Sequence, residues 1–95
     1  ICLSHLGYKY KETNLVSDEI LAKETQFTDL IIGGHTHTFL DEPVVYKDKN
    51  GSDVVVNQVG WGGARLGRLD FTFEGVKKKN LANAHSVIIG KKTSN

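Results

Sequence analysis

The segment Asp29-Leu30-Ile31-Ile32-Gly33-Gly34-His35-Thr36-His37-Thr38 begins apolar, turns on two glycines and ends with histidine and threonine alternating. Three consecutive aliphatic residues closed off by glycine fit a short strand buried on both faces, as in a parallel sheet. Gly33-Gly34 allows a sharp turn where that strand stops. His35 and His37 then follow one residue apart. In extended backbone they share a face, about 6.6 Å apart at ~3.3 Å per residue. Such spacing is awkward for one small ion and suits two ions ~3.5–4 Å apart, one imidazole to each. Neutral imidazole is a ligand for Zn, Mn, Fe or Ni near neutral pH.

Upstream, Ile1–Ser4 reads as another buried strand that stops at His5, with Gly7 beyond it. Ser17 is an N-cap residue, Asp18 and Glu19 suit the positive end of a helix, and Ile20, Leu21 and Phe27 recur at helical spacing. These signals predict a helix over 18–26. A helix between two apolar strands is a βαβ unit, and ligands gather at the carboxyl ends of such strands. His5, His35 and His37 all stand at those ends. From spacing alone, three loop histidines near strand ends explain the pattern nearly as well.

Downstream, Val44–Lys47 and Val54–Asn57 are β-branched runs joined across Asn50-Gly51, a strong hairpin signal. Leu69, Phe71 and Phe73 alternate with polar residues and predict a half-buried strand. Gly75–Asn80 reads as a polar turn, Ser86–Ile89 as a last edge strand, and 91–95 as a frayed tail. Gly60, Gly62, Gly63 and Gly67 read first as turn residues.

Composition narrows the classes. The chain has 95 residues, 39% hydrophobic and 24% charged, enough for one small domain or part of a larger one. A net charge of +1 argues against a nucleic-acid or membrane field, and no apolar run is long enough to span a bilayer. One cysteine, Cys2, excludes an internal disulfide framework. With no methionine, an apolar opening run and one short helix to cover several strands, the chain reads as a fragment.

The string Leu3-Ser4-His5-Leu6-Gly7-Tyr8, a helix, and then Asp29 to Thr38 resembles the C-terminal half of the catalytic domain of a calcineurin-like metallophosphoesterase. Pro43, Gln58-Val59-Gly60, Gly63 and Leu66-Gly67-Arg68-Leu69-Asp70 make it most similar to the 5′-nucleotidase branch. The resemblance covers roughly residues 1–74. It implies an α/β fold, part of a four-layer α-β-β-α sandwich in which a βαβ unit is followed by an antiparallel meander. It also implies a two-metal phosphomonoesterase that uses a metal-bound hydroxide, with His5 and His35 on one ion and His37 on the other. Some 5′-nucleotidases carry Gln where this chain has His37. The family's D-x-H, G-D-x-x-D and G-N-H-[DE] motifs do not occur in these residues.

Three neutral imidazoles cannot offset the repulsion between two divalent ions. These residues alone are therefore expected to hold at most one ion weakly and to be inactive. Gln58, Gly34 and Trp61 complete the expected rim: Gln58 bonding the histidine loop, Gly34 allowing close approach, Trp61 shielding the site or stacking on a base. The expected partners are a nucleotide or other phosphate ester and the preceding half of the catalytic domain, with self-association through unpaired strands. The resemblance implies a periplasmic or cell-surface location. The competing reading is a non-catalytic metal-binding or assembly module.

Overall fold

The computed structural model describes residues 1–12, 14–75 and 79–89. The apolar runs become strands β1 (Cys2–Leu3), β2 (Leu30–Ile32), β3 (Val44–Lys47), β4 (Asp53–Asn57), β5 (Arg65–Phe73) and β6 (Lys79–Ile88), with helix α1 (Asp18–Glu24) between β1 and β2. The first four strands form one sheet in the order β1-β2-β4-β3. Within it β1, β2 and β4 run parallel and β3 is antiparallel to β4. Strands β5 and β6 form a separate antiparallel ladder. The α/β class and the βαβ unit are thus as expected. The antiparallel part is divided, because the β3–β4 hairpin joins the parallel sheet instead of continuing into β5.

Local chemistry accounts for these elements. Ser17 adopts an extended conformation and its side chain accepts from the Ile20 amide, which starts α1. The helix stops at Glu24, two residues before the expected end, since Thr25 is extended and makes the last helical hydrogen bond to the Leu21 carbonyl. Phe27, counted from spacing as part of the apolar stripe, has φ 66° and is 87% exposed. In the β3–β4 hairpin, Asp48 Oδ1 accepts from the Asn50 and Ser52 amides, and Gly51 supplies φ 79°.

The core lies where α1 covers the sheet. Ala22, Ile31, Val54 and Val56 are fully buried there, with Cys2, Tyr8, Leu21 and Tyr46 packed around them. Truncating Ile31 to alanine removes contacts from this centre and costs about 2–5 kcal/mol. On the other face Leu30 and Val55 are buried, while Ile1 and Leu3 are exposed. Leu69, Phe71 and Phe73 of β5 line a gap against Ile1, Asp29 and Leu30. The molecule is a slab of 49 × 38 × 16 Å. Sixteen ångströms admits the main sheet and one covering layer at ~10 Å sheet spacing, so much apolar surface stays open.

Strand β5 begins at Arg65, four residues before the alternating aromatics suggest. Gly67 lies inside it and not in a turn: a Cβ there would stand 2.8 Å from Val59 Cγ1 and 3.0 Å from Asn57 Nδ2. Strand β6 starts at Lys79, inside the expected polar turn, and runs to Ile88, far longer than Ser86–Ile89. Pairing with β5 sustains it through a register shift at Asp70/Phe71. The expected frayed tail at 91–95 lies outside the described residues. Among them, no helix is long and apolar enough to cross a membrane.

Candidate functional site

Parallel pairing of Cys2 with Ile31 and Leu3 with Ile32 brings two strand ends level. The Ser4 amide donates to the Ile32 carbonyl at 2.8 Å, and the Gly33 amide to the Asn57 carbonyl at 2.9 Å. His5 and His35 therefore leave the sheet side by side. Their ring centres are 5.1 Å apart and the rings meet edge to face at 65°. His5 packs over Gly34, where a Cβ would stand in ordinary contact, 3.4 Å from His5 Nδ1.

The loop beyond is not extended. His35 has φ 71° and His37 φ 53°, so both histidines sit in the left-handed region, and the 6.6 Å estimate for extended backbone does not hold. That conformation costs about 1–2 kcal/mol for each non-glycine residue. Such strain is held where surrounding contacts over-determine it, and it gathers at functional sites. The contacts are visible. The Thr36 amide donates to the Gly34 carbonyl at 2.9 Å. Thr36 Oγ1 accepts from the Tyr8 amide at 3.0 Å and from Gln58 Nε2 at 3.3 Å, and lies 2.8 Å from Thr38 Oγ1. Gln58 Oε1 accepts from the Thr38 amide at 2.6 Å. Gln58 is 2% exposed, and its amide holds the histidine loop from below.

His37 turns elsewhere, against Trp61, with ring centres 5.9 Å apart and a 35° tilt. Trp61 is 65% exposed. Among the described residues, no three His, Cys, Asp or Glu side chains lie close enough together to hold one ion. The three sequence-selected imidazoles thus divide into a pair, His5 and His35, and a single ring stacked on tryptophan.

The separation of the pair can be compared with that of two imidazoles sharing one ion. A Zn–N bond of about 2.0–2.1 Å, plus roughly 1.1 Å from nitrogen to ring centre, sets two imidazoles on a tetrahedral ion about 5 Å apart. The observed separation is 5.1 Å. Two neutral donors are half a tetrahedral site, so further ligands are needed for tight binding.

One residue at this rim escaped sequence reading. Asp18, taken only as a helix-starting acid, is fully buried. Its Oδ1 accepts from Ser4 Oγ at 2.5 Å, and its Oδ2 has no hydrogen-bond partner among the described residues. A Cβ on Gly33 would collide with that oxygen. Burial pushes the Asp18 pKa up, and the Ser4 hydrogen bond opposes the shift only in part. Nothing in the sequence separates this acid from a solvated one in the same helical position.

Two arginines of β5 are held by neighbouring acids. Arg65 pairs with Asp41 and lies over the Phe39 ring, 5.1 Å from its centre. Arg68 is exposed and bonds Asp70 at 3.0 Å. Between the two sheets a cavity of about 200 Å³ is lined by Gly33, Asn57, Gln58, Arg65 and Gly67 among others.

No family model matches the chain. Over 85 residues it is 38% identical to the trifunctional nucleotide phosphoesterase protein YfkN of Bacillus subtilis (strain 168), covering 87% of this chain and 5% of that protein. Its fold matches the crystal structure of a 5′-nucleotidase precursor from Thermus thermophilus with a TM-score of 0.70 and 27% identity. That match covers 76% of this chain and 17% of the other. The chain therefore spans a small part of either relative.

Proposed function

From the premise that this chain is a segment of 5′-nucleotidase-like metallophosphoesterase kind, we propose that the protein carrying it hydrolyses nucleotide phosphomonoesters at a two-metal centre of the calcineurin-like type. His5 and His35 hold one ion, and His37 holds part of the other. The observation that carries the reading is the 5.1 Å edge-to-face pair at two parallel strand ends, one partner held in left-handed backbone. Zn, Mn, Fe and Ni all accept such donors. When bound, the ions lower the pKa of coordinated water and neutralise phosphate charge.

The chain's own residues prepare this chemistry. Gln58 and Thr36 fix the direction in which His35 and His37 leave the loop, and His5 packs over Gly34. Trp61, largely exposed beside His37, offers a flat face to a nucleobase and shields one side of the ring. Carboxylates that balance two divalent charges come from polypeptide outside these residues, which also covers the exposed Ile1 and Leu3. Alone, the 95 residues bind at most one ion weakly, do not turn over substrate, and self-associate through open apolar faces. A periplasmic or cell-surface home fits the relative described as a precursor.

The test uses the full-length protein, stripped with chelator and reloaded with Mn or Zn. AMP is hydrolysed faster than bis-p-nitrophenyl phosphate, and His35→Ala abolishes the metal-dependent rate. Failure with every phosphate ester overturns the reading. Failure accompanied by a metal-induced rise in Tm that His35→Ala removes replaces it with a non-catalytic metal-binding module.

A further inference from the structure

We propose that Asp18 is a positioning residue that sets the spacing of His5 and His35 by clamping the two strand ends that carry them. The inference rests on the reading of those two imidazoles as ligands of one ion. Ser4 directly precedes His5, and its hydroxyl donates to Asp18 Oδ1 at 2.5 Å. Gly33 stands two residues before His35, and Asp18 Oδ2 occupies the space its side chain would fill. The Asp18 amide also donates to the Gly7 carbonyl at 2.7 Å, fixing the loop beyond His5. One carboxyl group thus touches the residue before His5 and the turn before His35, and reaches neither ring.

Its burial has the cost expected of a group kept for position. Asp18 is 0% exposed, and one oxygen lacks a partner among the described residues. A buried unsatisfied oxygen is destabilising, and an apolar residue of similar size would avoid the penalty. Glycine at 33 admits the carboxylate and leaves no room for a Cβ. His37 has support that does not pass through Asp18: Gln58 bonds Thr36 and Thr38 on either side of it, and among the described residues neither threonine bonds Asp18. Loss of the clamp therefore affects one pair of imidazoles and spares the third.

The experiment is calorimetric titration of Zn²⁺ into the chelator-stripped, full-length protein, with histidine ring resonances followed by NMR. Removing a group hydrogen-bonded directly to a metal ligand lowers affinity roughly 10–100-fold, and a group acting one residue away stands at the lower end of that range. Asp18→Ala weakens one of two equivalents about tenfold, shifts the His5 and His35 resonances, and leaves those of His37 in place. Asp18→Asn, which still accepts from Ser4, restores affinity to within a few-fold of wild type. Ser4→Ala, a milder change in case Asp18→Ala does not fold, weakens the same equivalent several-fold. Unchanged affinity in Asp18→Ala or Ser4→Ala, or equal weakening of both equivalents, overturns the positioning role. Wild-type protein that binds no Zn²⁺ overturns it together with the ligand reading, and that result is distinct because it appears before any substitution is made.

Discussion

The side-chain carbonyl of Gln58, buried at the end of β4, accepts the Thr38 amide at 2.6 Å, while the amide nitrogen of the same side chain reaches Thr36 Oγ1 at 3.3 Å. A single residue thereby holds both threonines that flank His37. The loop keeps its two left-handed histidines because its donors and acceptors are occupied from beneath.

Gln58→Leu leaves the Thr38 amide without its acceptor and costs about 1–3 kcal/mol, the range for a buried polar group left unpaired. Urea denaturation reads the loss. An unchanged midpoint would mean the loop holds itself without Gln58.

Backbone strain at residue 35 predicts an inverted ranking of substitutions. At φ 71° glycine is at ease and a β-branched side chain is not. His35→Val is therefore less stable than His35→Gly by about 1–2 kcal/mol. Both variants lose the metal response. Equal stability of the two would show that the position is unstrained.

Asp18 makes stability depend on pH. Its folded-state pKa lies above the unfolded value, so the folded chain holds the proton more tightly. The stabilisation is complete below the unfolded value of about 4, is lost as pH rises through the folded value, and then levels off. Asp18→Asn removes this descent, so the difference between wild-type and variant urea midpoints narrows or reverses from about pH 4 upward. Parallel curves across that range would contradict a raised pKa.

Gly67→Ala tests the approach of β5 to the end of β4. The new methyl meets Val59 Cγ1 and Asn57 Nδ2 at or below 3.0 Å, and overpacking of this kind costs about 1–3 kcal/mol. A melting temperature equal to wild type would mean that β5 moves aside freely.

Much of this architecture is legible in the sequence wherever local chemistry and burial agree. Ser17, Asn50-Gly51 and the aliphatic runs at 30–32, 44–45 and 54–56 each carry their own signal, and each element stands within a few residues of its expected place. Legibility fails where pairing overrides local preference. Gly67 looks like a turn residue yet lies inside β5, because only its missing side chain lets β5 pass over Asn57. Lys79 and Asn80 look like a turn and are carried into β6 by the partner strand. Phe27 continues the helical spacing, but Thr25 has already ended the helix.

The site divides in the same way. The three histidines are marked by residue type and by their place at strand ends, and Gln58 by the Gln58-Val59-Gly60 string that is part of the family resemblance. Their backbone conformation is not, since histidine alternating with threonine reads as extended while the structure holds His35 and His37 in left-handed geometry. Asp18 is hidden for a different reason: an acid beside an N-cap has a sufficient local explanation, so its second role appears only once Ser4 and Gly33 are folded against it.

Anomalous scattering at the zinc edge, from crystals of the full-length protein grown with Zn²⁺, reads the ligands of each ion without intermediaries. One peak is expected bonded to ring nitrogens of both His5 and His35 at about 2.0–2.1 Å, and a second beside His37 about 3.5–4 Å from the first. Zinc bound with none of these three imidazoles among its ligands would contradict that expectation.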